Sequence, residues 1–365
     1  MRELLEPGVA RAEWWRRLAD GRIQCTLCPR GCRLRPGQRG FCFVRVARED
    51  GMELRSYGRT SGMAVDPIEK KPLFHVLPGA SLLSFGTIGC NLGCRYCQNW
   101  HVSRARDERL LGVRASPEAV ARTAERCGCS GVAFTYNDPV VFAEYAIDCA
   151  AQAHERGLLS VAVTAGSILS PAREAFFGAM DAANVDLKAL DPSFYRRLCL
   201  GELEPVQDTL RWLHEETDVW LEVTHLLIPG FNDAPEDVER LVAWFAETLG
   251  ADVPLHLTAF RPAYRMRDVP PTPAATLRRA RRQARGAGLR YAYVGNVVDL
   301  EGEATVCPSC GAAVVRRWGY TADRRGLDAS GRCRVCGTSI PGRFALPPRT
   351  SGARRAAAEG DHRGT

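Results

Sequence analysis

The sequence predicts an α/β protein, a partial (β/α)6 barrel flanked by two small cysteine-rich modules. Three observations lead there. Short apolar or β-branched runs alternate with helical patterns between residues 81 and 294, the mark of successive βα units and a parallel sheet. Several of these runs carry polar residues two apart: Asp186 and Lys188, Glu222 and Thr224, His256 and Thr258. A parallel sheet covered on both faces reads apolar throughout, so polar residues recurring on one face suit a wide or partial barrel around a polar ligand. Finally, eleven of the fifteen cysteines fall into three groups, placed before, at the start of and after the repeats.

The expected strands are SLLSFGTI (81–88), GVAFT (131–135), LLSVAVT (158–164), NVDLK (184–188), VWLEVTHLLI (219–228), VPLHLTAF (253–260) and RYAYV (290–294). Helices are expected between them. SPEAVARTAERC opens with Ser116 as cap and Pro117 at the first helical position. PVVFAEYAIDCAAQAHER stops at Gly157, and APEDVERLVAWFAETL stops at Gly250. The chain divides into an N-terminal cysteine-rich module (1–60), the barrel core (75–300), a second cysteine module (301–345) and a tail (346–365). The tail lacks apolar periodicity and is expected to be disordered.

Composition narrows the function classes. The first residues, MRELLEPGVARAEWWRRLADG, lack the apolar run of a signal peptide, and no stretch approaches a membrane span. A cytoplasmic location is the default expectation. Thiols stay reduced there, so the cysteines read as metal ligands before disulfides. The net charge of +7 is modest, and the basic run RRARRQAR (278–285) has little aromatic interleaving. It reads as a solvated helix face, which argues against a nucleic-acid partner. Of 49 basic residues only Lys70, Lys71 and Lys188 are lysine. Each hints at a site needing a compact ammonium and not a planar guanidinium.

The central chemistry lies in GCNLGCRYCQNW (89–100), which sets Cys90, Cys94 and Cys97 at C-x3-C-x2-C. Such positions could share a helix face, but Gly89, Asn91 and Gly93 disfavour a helix, and the stretch follows an expected strand. A loop at the end of a first barrel strand can wrap three thiolates around one face of an iron–sulfur cube, leaving one iron open. Zinc completed by a histidine such as His75 or His101 is the alternative at this level. Cys127, Cys129, Cys149 and Cys199 share no ligand spacing and are expected to be small buried hydrophobes.

This triplet, with Tyr96 before its last cysteine and βα units after it, resembles the radical S-adenosylmethionine (radical SAM) superfamily, whose core is a partial TIM-like barrel. The resemblance implies a [4Fe–4S] cluster on Cys90, Cys94 and Cys97, with S-adenosylmethionine on the fourth iron. Reductive cleavage of the sulfonium would then give methionine and a 5′-deoxyadenosyl radical that abstracts hydrogen. A narrower likeness runs through CTLCPRGCRLRPGQRGFC, VDPIEKKPLFHVLPG, FTYNDP, NVDLK, EVTHLLIPGFND, VPLHLTAF and CPSCG…CRVCG, in that order. It is to the radical SAM family of the AmmeMemoRadiSam system (AmrS), related to pyruvate formate-lyase activating enzymes.

Carried over residue by residue, FTYNDP offers Tyr136, Asn137 and Asp138 for the amino group of S-adenosylmethionine, with Asp138 standing where the family has glutamate. VTAGS supplies Thr164, although Ala165 replaces an amide side chain of the relatives. Asp186 and Lys188 match the family's D-x-K element near the cofactor, and Tyr96 joins the same binding set. Glu222 and His256 are expected to enter the lumen as catalytic or substrate-contacting groups, the alternative being hydrogen-bonded core residues.

Cys307, Cys310, Cys333 and Cys336 form two C-x2-C knuckles each closed by glycine, a zinc-ribbon signal, with an auxiliary iron–sulfur cluster as the alternative. Cys25, Cys28, Cys32 and Cys42 fit zinc or a second [4Fe–4S] cluster, and zinc is the expected metal. The resemblance implies an electron donor such as flavodoxin or ferredoxin, and a protein substrate or Memo- and Ammecr-family partners. Radical modification of RNA or a small molecule is a second reading, and a zinc-only binding protein a third. No residue pattern identifies the substrate.

Overall fold

Eight strands form the central sheet in the spatial order Gly62–Pro67, Ser81–Gly86, Gly131–Phe134, Leu159–Thr164, Ala182–Asp186, Trp220–Leu227, Leu255–Ala259 and Ala292–Gly295. The last seven are parallel. Chain order and spatial order coincide, as in a barrel wall; a doubly wound sheet reverses at a switch point. The two end strands do not pair with each other, so the wall stays open. All seven expected strands are present. Gly62–Pro67 was not expected, and it runs antiparallel to Ser81–Gly86 from Ser81↔Pro67 to Gly86↔Gly62. This computed structural model describes residue 2 and residues 4–346, so the expected disordered tail lies outside the described residues beyond Leu346.

Local chemistry places the helices. Pro117–Arg126 begins with Ser116 Oγ accepting from Ala119 N at 3.2 Å. Pro235–Leu249 stops at Gly250, whose φ of 73° suits glycine. The expected helix from Pro139 to Gly157 is shorter at both ends: Pro139–Phe142 is a 3-10 turn, and the α-helix spans Ala143–His154. Asp138 accounts for the turn, because its carboxylate accepts from Val140 N at 3.1 Å and tightens the entry. The basic run 278–285 lies on Ala274–Gly286, where Arg278 and Arg281 pair with Asp299 and Glu301.

The N-terminal residues build a four-stranded antiparallel sheet, Leu4–Glu6, Val9–Arg11, Gly51–Leu54 and Arg45–Arg48 in spatial order. It is fastened to Ala143–His154 by a buried ion pair, Arg45 with Glu144, exposed by 1% and 0%. Tyr57 adds a phenol bonded to Asp148 at 2.5 Å. Removing one member of such a buried pair costs about 3–5 kcal/mol, because the other charge is left without compensation.

The C-terminal strands, Thr305–Val306, Ala313–Trp318 and Thr321–Asp323, dock beneath the barrel against the segment leading into Ser81–Gly86. Arg317 is the buried link. It donates to Phe74 O (2.6 Å), Glu303 O (3.0 Å) and Thr305 Oγ1 (3.0 Å), and its guanidinium lies 3.9 Å from the Phe74 ring centre. His75 sits beside it, donating from Nδ1 to Pro341 O (2.6 Å) while Nε2 accepts from the Tyr293 hydroxyl (2.6 Å). Burial outweighs the nearby Glu222 carboxylate and lowers His75 to about 4.

The unfolded chain therefore binds the proton more readily, since a free histidine titrates near 6.5. This contribution is complete above about pH 6.5 and is lost as the pH falls toward about 4, worth at most about 3 kcal/mol. Urea midpoints are expected to fall more steeply from pH 7 to 4.5 in the parent chain than in His75→Gln. Parallel profiles would remove His75 as the cause.

Candidate active site

A cavity of about 270 Å³ opens where the parallel strands end, and its wall includes Cys90, Cys94 and Cys97. The three cysteines lie on an irregular loop, as expected, running from Thr87 to the short helix Trp100–Ser103. Close packing dictates its glycines. A β-carbon on Gly86 would stand 2.4 Å from Thr135 O, and one on Gly89 would stand 1.8 Å from Cys42 O. The loop is held at both ends. Asn91 Nδ2 donates to Ser167 O at 2.7 Å, Gly93 N to Cys199 O at 2.8 Å and Arg95 N to Leu198 O at 2.8 Å.

Asn137 clamps the first turn of this loop. Its Oδ1 accepts from Thr87 N (2.9 Å), and its Nδ2 donates to Thr87 Oγ1 (3.1 Å), Ile88 O (3.2 Å) and Gly89 O (2.8 Å). Little of its amide is left for a ligand. Tyr136 takes φ of 71°, and its hydroxyl reaches Asp66 Oδ2 at 2.7 Å, where Lys71 Nζ also donates at 2.7 Å. Asp138 ties two strand ends together, accepting from Thr164 Oγ1 (2.8 Å) and Ala165 N (3.0 Å). Burial raises its pKa against these hydrogen bonds.

Across the cavity Lys188 Nζ donates to Asp186 Oδ2 at 2.6 Å. Burial works against the ammonium, yet the Asp186 carboxylate raises its pKa on balance, so it is a permanent cation. Lys188 N donates to Tyr195 Oη at 3.0 Å, which fixes where the side chain starts.

The structure brings ten predicted residues to this one cavity: the three cysteines with Tyr96, Tyr136, Asn137, Asp138, Thr164, Asp186 and Lys188. It does not bring Glu222 or His256 there. Both lie two residues earlier on their strands than Thr224 and Thr258, which do line the cavity. Glu222 is fully buried and accepts from Phe74 N (2.9 Å), His75 N (2.8 Å), Trp220 Nε1 (3.0 Å) and His256 Nε2 (2.6 Å). Its lone pairs are taken, so the expected substrate role is corrected to a core hydrogen-bond hub. His75, engaged there too, is not a ligand to the triplet.

Cys199 makes a contact that its place in the sequence does not announce. It is buried as expected, but it stands beside Cys94 and its Sγ meets the Tyr96 hydroxyl at 3.2 Å. The turn after Tyr195–Cys199 brings it there from more than a hundred residues away, and no sequence spacing signals it. Cys129 and Cys149 are buried, whereas Cys127 is exposed.

The flanking cysteines differ in geometry. Cys307, Cys310, Cys333 and Cys336 have all four sulfurs within 4.8 Å of one another, including pairs at 3.5 and 3.7 Å, and could hold a metal ion. The other two cysteine groups do not form so tight a set among the described residues. No helix among the described residues is long and apolar enough to cross a membrane.

Comparison with known proteins agrees with this geometry. A model of the radical SAM superfamily matches residues 85–245. An uncharacterized protein of Methanocaldococcus jannaschii, MJ0808, is 38% identical over 330 residues, covering 90% of this chain and 98% of its own. Among solved structures, a domain of a pyruvate-formate lyase-activating enzyme from Bacteroides vulgatus is similar at TM-score 0.40 and 18% identity, over 46% of this chain and 99% of its own. A radical SAM methyltransferase from Sphaerobacter thermophilus has TM-score 0.47 and 16% identity, over 60% of this chain and 67% of its own. With its three-cysteine loop inside the matched segment and a relative alignable along 90% of its length, the chain belongs to the radical SAM superfamily of enzymes.

Proposed function

We propose that Cys90, Cys94 and Cys97 hold the [4Fe–4S] cluster of a radical SAM enzyme of the AmmeMemoRadiSam type, acting on a protein substrate in the manner of an activating enzyme. The observation that carries this is the cavity itself, with three thiols on one wall and the Asp186–Lys188 pair, Asp138 and Thr164 on the others. Three soft donors on one side of a polar cleft suit a cube whose fourth iron is left for a ligand. Held by Cys90, Cys94 and Cys97, a reduced [4Fe–4S] cluster would supply the electron for reductive cleavage of the sulfonium of S-adenosylmethionine.

The chain's own residues have separable tasks in this reading. Asn137 and Asn91 hold the cysteine loop in shape; Asp138 joins the ends of Gly131–Phe134 and Leu159–Thr164 beneath the ligand. Lys188 and Asp186 present a fixed charge pair to the polar part of S-adenosylmethionine. Tyr96 backs the loop. A flavodoxin or ferredoxin supplies electrons, and a Memo- or Ammecr-type protein is the partner expected from the AmrS resemblance.

The C-terminal quartet reads as structural zinc. Bonds of about 2.3 Å in a tetrahedron set sulfurs about 3.8 Å apart, close to the 3.5 and 3.7 Å here. In this reading residues 301–345 are a ribbon module beneath the core of 75–300, with 1–60 as the N-terminal module.

Anaerobic reconstitution with iron and sulfide tests the reading. Dithionite and S-adenosylmethionine should give 5′-deoxyadenosine and methionine, measured by liquid chromatography. A chain that takes up iron at the triplet yet cleaves no S-adenosylmethionine would rule it out.

A further inference from the structure

We propose that Cys25, Cys28, Cys32 and Cys42 hold a second [4Fe–4S] cluster, packed directly behind the cysteine-triplet loop, and not the zinc expected from sequence, where the spacing fits either group. The first ground is spacing. Around one zinc ion all four sulfurs crowd together, as those of Cys307, Cys310, Cys333 and Cys336 do. In a cube each thiolate binds a different iron, so the sulfurs stand farther apart. Two of the N-terminal four flank one glycine: a β-carbon on Gly40 would lie 3.7 Å from Cys32 Sγ and 3.8 Å from Cys42 Sγ. Among the described residues, however, it is not a set closed within 4.8 Å. In that it resembles Cys90, Cys94 and Cys97 and differs from the C-terminal quartet.

The second ground is a pair of buried donors without acceptors. Arg45 is 1% exposed, and its Nε has no hydrogen-bond partner although its other nitrogens bind Glu144 and Glu13. Its backbone carbonyl lies beside Gly40, against which Cys32 Sγ and Cys42 Sγ also pack. Arg30 has a buried Nη2 that is likewise without a partner, and its guanidinium lies 3.8 Å from the ring centre of Phe41, next to Cys42 in the chain. A buried N–H donor left empty costs about 1–3 kcal/mol, so two of them around one group of thiols point to acceptors that belong there. A cube supplies them, since its inorganic sulfides accept hydrogen bonds in addition to the four thiolates. Phe41 N already donates to Cys32 Sγ at 3.5 Å.

The third ground is burial. Cys25, Cys28 and Cys42 are buried, whereas two cysteines of the C-terminal quartet, Cys310 and Cys336, are exposed. Shielding of this kind sets the potential of a redox centre and is not needed to hold a structural ion. Cys42 O also packs against Gly89, and Arg30 Nε donates to Asn91 O at 2.9 Å, so the two cysteine loops share a wall.

This inference goes beyond the reading of the triplet and is measured separately from it. The full chain carrying Cys90→Ala, Cys94→Ala and Cys97→Ala is reconstituted anaerobically, and iron, labile sulfide and zinc are counted. The expected result is about four iron and four sulfide per chain, with a dithionite-induced electron paramagnetic resonance signal that S-adenosylmethionine leaves unchanged. A variant that takes up no iron and carries about two zinc per chain, one more than the C-terminal quartet accounts for, overturns the proposal. Should that variant fail to fold, Cys28→Ser in the otherwise intact chain decides the matter. Loss of about four iron relative to the parent supports the proposal, and an unchanged iron count overturns it. A parent chain whose iron is all lost in Cys28→Ser keeps this proposal and sinks the cluster at the triplet instead.

Discussion

Replacing Cys94 by alanine is expected to lower S-adenosylmethionine cleavage below about one-thousandth of the parent rate, equivalent to about 4 kcal/mol. Cys199→Ala, removing the thiol next to it, is expected to stay within about threefold of the parent, under about 1 kcal/mol. The contrast follows from where the two sulfurs point. Cys94 lines the cavity and Cys199 does not; the Cys199 thiol meets the Tyr96 hydroxyl behind the loop. Its anchoring of the loop runs through its backbone carbonyl, which alanine keeps. Equal loss of iron and turnover in both variants would mean a closed four-cysteine site with no position for a ligand, and the open-iron reading would fail.

Lys188→Arg is expected to reduce cleavage at least tenfold, about 1.4 kcal/mol, with the larger part in the KM for S-adenosylmethionine. The ammonium is held by Asp186 at 2.6 Å on a side chain only 15% exposed. A guanidinium is planar and longer-reaching, and it cannot occupy the space of a compact ammonium between Asp186 and Cys94 without moving one of them. Lys188→Met goes further, leaving the Asp186 carboxylate without its counter-charge, and should cost still more activity. Circular dichroism reports whether either variant is misfolded. Parent-like kinetics in Lys188→Arg would show that charge alone matters there.

What could be read from sequence was local. The seven parallel strands announce themselves as β-branched runs, and the triplet as a spacing within eight residues. Gly62–Pro67 was missed because its pairing depends on Ser81–Gly86 and not on a strong pattern of its own, two of its residues being exposed. Two-residue alternation correctly put polar groups on the inner face of the wall, but it could not tell depth. Thr224 and Thr258 reach the cavity while Glu222 and His256, one step down the same face, support the floor. Cys199 and the Arg30 and Arg45 donors depend on contacts between distant segments, which no periodicity encodes.

Arg317 and the backbone of Arg343 grip Phe74, His75 and Leu77, the lead-in to the first parallel strand. Ribosomal synthesis runs the other way, since that lead-in emerges before any of the seven parallel strands and its latch only after all of them. A nascent chain halted before residue 303 thus carries a complete strand order over an unfastened floor, with the Glu222 hub lacking the guanidinium that lies over Phe74. Fastening the floor of the wall is therefore a long-range event, completed across 243 positions of chain by the Arg317 contact to Phe74.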